Sequence, residues 1–251
     1  MSERKNFLKR IREALRHPES GAARNQGRSS ALAEPLKDVM APVPSGELVS
    51  KFEKELEKVA GVAYRATTVA ELETTLREIL VSAEAQAAVL SRHPLPAQLG
   101  LEEKLRTWGI AVSVWPVDES SATEATGRAF REQAFSAAVG ITGVDFVLAE
   151  TGSLILTSLT GGSQLASLAP PVHVALYRRD QVVESLDEVL AGLPVNRDPA
   201  EPSPGRSVVF ITGTSRTADI EQILIRGVHG PRHVHAILVE DTCLADPCQS
   251  R

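Results

Sequence analysis

The stretch VAYRATTVAELETTLREILVSAEAQAAVLS, residues 62–91, reads as strand, helix and strand in succession. VAYRAT is a short run in which apolar and β-favouring residues recur. Thr68 and Glu71 then make a Thr-x-x-Glu capping box, which predicts a helix starting at VAELETTLREIL. AAVLS follows as a short apolar strand. A helix joining two strands is the connection that a parallel pair requires.

The same rhythm extends outward in both directions. Upstream, ELVSKFEKELEKV puts Leu48, Phe52, Leu56 and Val59 on one helical face. Downstream, PAQLGLEEKLRTW reads as a helix stopping at Gly109, IAVSVW as a third strand and ATEATGRAFREQAF as a further helix. VHVALY, VVFIT and VHAILVE are later strand candidates. DQVVESLDEVLAGL is expected to be an amphipathic helix using Val182, Val183, Leu186, Val189 and Leu190. The predicted fold is α/β, a mostly parallel sheet flanked by helices.

Residues 1–46 stand apart. Phe7, Leu8, Ile11 and Leu15 lie at helical spacing among basic residues, and residues 17–46 are rich in Pro, Gly, Ser and polar side chains. We therefore expect an N-terminal amphipathic helix and flexible linker over 1–46 and an α/β domain over 47–251. Docking on a partner, on a membrane surface or on its own domain all suit such a helix.

Bulk properties narrow the function. With 251 residues, 43% apolar and 24% charged, the chain has the composition of a soluble globular protein. A net charge of -5 and 4% aromatic residues disfavour nucleic acid as a partner. The charge is uneven, with a net +4 in residues 1–16 and -9 in the remainder. No apolar run reaches the length of about 18 residues that a membrane span needs, and no apolar signal region opens the chain, so a cytoplasmic location is expected. Cys243 and Cys248 are the only cysteines, too few for a four-thiolate iron–sulfur cluster.

Common nucleotide-binding, zinc-protease and serine-hydrolase motifs are absent from the sequence. Three loops remain as candidates. In GITGVDFVLAETGS, Glu150, Thr151 and Gly152 separate two apolar runs, a hairpin signal. Asp145 and Glu150 are acid or base candidates, although their odd spacing sends them to opposite faces of a straight strand. In SLTGGSQLASLAPP, Gly161 and Gly162 precede Ser163 at an expected helix N-cap, which suits a small anion.

The third loop is ITGTSRTADIEQILIRGVHGPRHVH, residues 211–235. Gly213 ends a strand here, and Thr217 is expected to cap a helix that closes at Gly227. Ser215 and Arg216 precede that cap, and a guanidinium there suits a phosphate or carboxylate. Asp219 and Glu221 in the same turn are alternative partners for Arg216. His229 is an acid/base candidate, while His233 and His235 share a strand face. No metal site is expected from these histidines, because converging ligands with supporting partners are not evident.

GITGVDFVLAETGSLIL, SLAPPVHVAL and GTSRTADIEQILIRGVHGPRHVHAILVED together resemble the lactate utilization protein C family, the LUD-domain group. The resemblance spans most of the chain after about residue 50. It implies a fold similar to the ribose-5-phosphate isomerase, glucosamine-6-phosphate deaminase and CoA-transferase group. It also implies a soluble subunit of a bacterial system that oxidises L-lactate to pyruvate. Iron–sulfur clusters would then reside in partner proteins, and this chain would hold no cofactor. A small anionic ligand or a partner would bind at the strand-end loops, and self-association is open. The matching positions are Asp145, Glu150, Thr151, Gly152, Ser215, Arg216, Thr217, Asp219, Glu221, Gly227, His229 and Gly230. The alternative is a stand-alone enzyme on a phosphosugar, CoA ester or folate-like acid.

Overall fold

The computed structural model describes residues 43–115, 124–158, 162–193, 207–220, 223–227 and 229–244. The N-terminal helix and linker expected over 1–46 fall almost wholly outside these residues, as do Gly161 and Cys248.

The opening stretch folds as its pattern demands. β1 (Val62–Ala66) leads into α2 (Val69–Ser82), which follows α1 (Leu48–Lys58) in the chain, and β2 (Ala87–Leu90) comes next. Leu72, Leu76, Ile79 and Leu80 form the buried stripe of α2. Thr68 caps it by accepting the Glu71 backbone N–H at 3.2 Å. Glu71 Oε2 accepts from the backbone N–H and hydroxyl of Thr67, one residue earlier than an ideal capping box, and these bonds hold its carboxyl below the usual range. The expected helix after β2 is two: α3 (Pro94–Gln98) and α4 (Leu101–Thr107), parted at Gly100. β3 (Ala111–Val114) and α5 (Glu124–Ser136) complete this half.

The second half adds β4 (Val139–Gly143), β5 (Phe146–Leu148), β6 (Ser153–Thr157), α6 (Ser163–Leu168) and β7 (Val172–Tyr177). Then come β8 (Val182–Val183), α7 (Leu186–Gly192), β9 (Val208–Ile211), β10 (Arg216–Ile220), β11 (Ile223–Arg226) and β12 (His233–Val239). Six strands form one sheet in the order β1-β12-β7-β4-β2-β3, with every pair parallel. A second sheet, β8-β5-β6-β9, contains the expected β5–β6 hairpin.

Alternate residues of the main sheet enter two separate cores. Val139, Ile141, Val174, Leu176 and Ile237 pack with Leu72, Leu76, Leu101 and Leu105. On the opposite face Ala175, Tyr177, Ala236 and Leu238 meet Phe52 and Leu56 of α1 and Val147, Leu154 and Leu156 of the second sheet. Gly140 lets α6 approach this face, because a Cβ there would sit 1.7 Å from the Ala166 carbonyl oxygen.

Two expectations are corrected. Residues 217–220 and 223–226 are not a helix capped by Thr217. They belong to the antiparallel β10–β11 pair, with Thr217 opposite Ile225 and Ile220 opposite Ile223. The β-branched residues Thr217, Ile220, Ile223 and Ile225 favour extended backbone, and their apolar spacing mimics a helical stripe. The segment 180–193 is likewise not one helix. Val182 and Val183 pair with Val147 and Leu148, and Ser185 caps a shorter helix by accepting the Glu188 N–H.

Candidate functional site

The strand order has a switch point. From β2 the chain moves outward to β3, then returns to place β4 on the other side of β2. In open α/β sheets, ligands bind at the carboxyl ends of strands where the direction reverses. At that edge stand Ser91 and His93 after β2, Trp115 after β3 and Asp145 after β4.

Short contacts join these residues. The Ser91 N–H donates to the Ile141 carbonyl at 3.1 Å, and the Trp115 N–H to that of Leu90 at 3.3 Å. Trp115 packs beneath Gly162, where a Cβ would lie 2.7 Å from its own Cβ. Asp145 Oδ2 accepts the Thr157 N–H at 2.6 Å, while the Ser163 hydroxyl donates to the Thr157 carbonyl at 2.9 Å. Gly162, in left-handed conformation, is therefore the N-cap of α6, and Ser163 is its first residue rather than its cap.

His93 lies against Gly143, where a Cβ would fall 2.0 Å from Nδ1. That nitrogen accepts the Leu95 N–H at 3.2 Å, which fixes the proton on Nε2. Burial lowers the His93 pKa, with the Asp145 charge and a hydrogen bond to Val144 opposing it. The imidazole is thus neutral at neutral pH. Ser91 and Thr157 are 2% and 4% exposed, and neither hydroxyl has a partner. Buried hydroxyls cost free energy unless something bonds to them, so this pair makes the edge the candidate site.

Asp145, Gly162 and Ser163 reach this edge, whereas Glu150, Thr151, Gly152, Gly213, Ser215 and His229 do not. Glu150, Thr151 and Gly152 form the β5–β6 turn, at the opposite end of a hairpin whose open end carries Asp145. Gly152 (φ 67°) touches α1, where a Cβ would stand 2.3 Å from the Leu56 nitrogen. Thr151, Ser153 and Thr212 form a hydroxyl chain with links of 2.7 and 2.6 Å. Glu150 is exposed.

Gly213 packs against Val59 at the end of α1, and Ser215 is a hub for the loops before β12. The Ser215 N–H donates to Pro231, its carbonyl accepts from Gly227, and its hydroxyl accepts the His229 N–H at 3.4 Å. Arg232 and His233 both donate to the Pro171 carbonyl, which places this hub at the amino-terminal edge of the main sheet. His229 is exposed. The side chains of Arg216, Thr217 and Asp219, and the whole of Glu221, lie outside the described residues. Among the described residues no group of three His, Cys, Asp or Glu is arranged to hold a metal ion. Nor is any helix among them long and apolar enough to cross a membrane.

Sequence reading missed Ser91, His93 and Thr157, since no motif surrounds them. Only the strand order could have marked them. It also missed His173, which is fully buried on β7 with Nε2 2.8 Å from the Thr142 hydroxyl and Nδ1 without a partner. Burial, with a lesser contribution from His235, lowers its pKa to about 3. His235 is lowered to about 4, mainly by burial, and its Nδ1 lies 3.2 Å from the Tyr64 hydroxyl.

These features define an α/β protein with a fully parallel main sheet and a polar edge at its switch point. The chain belongs to the LUD domain family, which residues 49–239 match. It is similar to Lactate utilization protein C of Halalkalibacterium halodurans, 30% identical over 96% of this chain and 99% of that protein. The protein of the same name from Deinococcus radiodurans is 29% identical over 82% of this chain and 86% of its own length. A crystal structure of a DUF162 family protein from Deinococcus radiodurans aligns with a TM-score of 0.48 and 22% identity, covering 79% of this chain and 99% of that one.

Proposed function

We propose that this protein is a component of a bacterial lactate utilization system, contributing to oxidation of L-lactate to pyruvate beside iron–sulfur partner proteins. The observation that carries this is the likeness to Lactate utilization protein C across nearly the whole length of both chains. Two cysteines cannot hold a four-thiolate cluster, which supports assigning the redox centres to the partners.

The ligand we assign to this chain is a small carboxylate, bound at the switch-point edge. The unpartnered hydroxyls of Ser91 and Thr157 supply donors, and the neutral His93 adds no charge of its own. Asp145 lies beside them and suits the hydroxyl of a 2-hydroxy acid as an acceptor.

A bacterial host lacking its own lactate utilization protein C tests this reading. Expression of this chain should restore growth on L-lactate, and the tagged chain should co-purify with an iron-containing protein from lactate-grown cells. Absence of both results would refute the proposal.

A further inference from the structure

The switch-point edge continues inward as a line of polar side chains on one face of the main sheet. Gly140 faces α6, since a Cβ there would meet the Ala166 carbonyl. Side chains alternate along a strand, so Thr142 shares that face, and the pairing of Gly140 with His173 puts His173 on it too. Val89 packs with Ala166, so Ser91, two residues further on, points the same way. The bond from the Ser91 N–H to the Ile141 carbonyl extends the β2–β4 register by one step and sets Ser91 level with Thr142. Ser91, Thr142 and His173 are thus neighbours across β2, β4 and β7, and they are 2%, 0% and 0% exposed.

The protons along this line can be assigned. Thr142 Oγ1 and His173 Nε2 are 2.8 Å apart, and His173 Nδ1 is buried without a partner. A proton on Nδ1 would make a buried N–H with no acceptor, which folded proteins rarely keep. The neutral ring therefore carries its proton on Nε2 and donates it to Thr142. The hydrogen of the Thr142 hydroxyl is then left over, and no acceptor among the described residues takes it. Its lateral neighbour is Ser91, whose Oγ is itself unpartnered. Adjacent strands lie about 4.8 Å apart, a gap that two hydroxyls on facing Cβ atoms close by turning about χ1.

We propose that Thr142 and His173 are positioning residues of the switch-point site, acting through Ser91. His173 donates to Thr142, Thr142 turns its hydrogen to Ser91 Oγ, and Ser91 turns its own hydrogen to the bound carboxylate. Each donor in such a chain polarises the next, so Ser91 becomes a stronger donor than a serine acting alone. The inference rests on the small-carboxylate reading of this edge and adds the means by which its donor is oriented. It also gives a role to an imidazole whose register neighbours are Val234 and Gly140, where an apolar side chain would cost less to bury.

Titration calorimetry of the full chain with L-lactate and with pyruvate tests the line in matched pairs. Thr142→Ser keeps the hydroxyl and His173→Gln keeps an N–H at the Nε2 position, so both should bind within about 3-fold of the wild type. Thr142→Val and His173→Leu should each weaken binding roughly 10-fold, the worth of one hydrogen bond. A purely structural role would lower the melting temperature and leave the dissociation constant alone. If His173→Leu does not fold, the nearly isosteric Thr142→Val carries the comparison. Nitrogen-15 NMR of His173 adds a readout that needs no ligand: Nε2 should be protonated and Nδ1 bare. Saturating L-lactate should then shift the Nε2 signal in the wild type but not in Thr142→Val. A proton on Nδ1 in the ligand-free protein overturns the proposal by itself. Wild-type affinity in Thr142→Val overturns it and leaves the carboxylate site standing, whereas a wild type that binds neither compound overturns the site and the proposal together.

Discussion

Asp145 Oδ2 accepts the backbone N–H of Thr157 at 2.6 Å, tying the end of β4 to the end of β6. The carboxylate therefore positions the switch-point edge as well as standing in it. Asp145→Ala leaves a buried N–H unpaired and should cost about 1–3 kcal/mol of stability. Asp145→Asn retains an oxygen acceptor and should cost less. Urea denaturation of the two variants measures the difference, and equal losses would show that the hydrogen bond matters little.

Ser91 separates a structural hydroxyl from a ligand-binding one. Its Oγ is buried and unpartnered, so Ser91→Ala removes an unmet group and should leave the basal melting temperature unchanged or slightly higher. With about 10 mM L-lactate or pyruvate, the wild type should gain melting temperature and Ser91→Ala should lose that gain. The same gain in both proteins would remove Ser91 from the binding site.

Gly140 should tolerate no side chain. A Cβ there meets the Ala166 carbonyl oxygen at 1.7 Å, and backbone cannot give way as a side-chain tip can. Gly140→Ala should lower stability by about 1–3 kcal/mol or more. Gly100→Ala is the contrast: it has open space around it and φ of 62°, so only strain of about 1–2 kcal/mol applies. Melting curves of the two variants test the order.

Acid should destabilise the fold through its buried histidines. With folded pKa values of about 3 for His173 and about 4 for His235, the unfolded chain binds more protons at every pH between these values and about 6.5. Stability is then full above about pH 6.5 and falls as pH drops toward the folded values. For His173 the loss is about 2 kcal/mol at pH 5. His173→Gln should flatten the dependence of the urea midpoint on pH between 4.5 and 7, and an unchanged slope would exclude His173 as its source.

The β1-α2-β2 unit was legible because local rules agree there, from the Thr68 cap to the Leu72, Leu76 and Ile79 stripe. The β5–β6 hairpin was legible from Glu150-Thr151-Gly152. Residues 217–226 misled because Ile220, Ile223 and Leu224 satisfy a helical spacing as well as an antiparallel pair. Propensity is local, and pairing of Thr217 with Ile225 decided the outcome. The site was half legible. Asp145, Gly162 and Ser163 carry motif-like surroundings, whereas Ser91, His93 and Thr157 acquire meaning only when β4 returns beside β2.

The pairing of β1 with β12 has a consequence for how the molecule is made. Tyr64 and His235 are 171 residues apart in the chain, yet their strands are neighbours, and β12 is the only sheet partner of β1 among the described residues. At bacterial or eukaryotic synthesis rates the ribosome needs roughly 10 to 30 s to cover that distance. Throughout that interval the first strand has no native partner, and α1 and α2 have only part of the surface they finally cover. The main sheet is completed by inserting β12 between the first strand and β7, so the parallel sheet closes only after the ribosome has passed Val239.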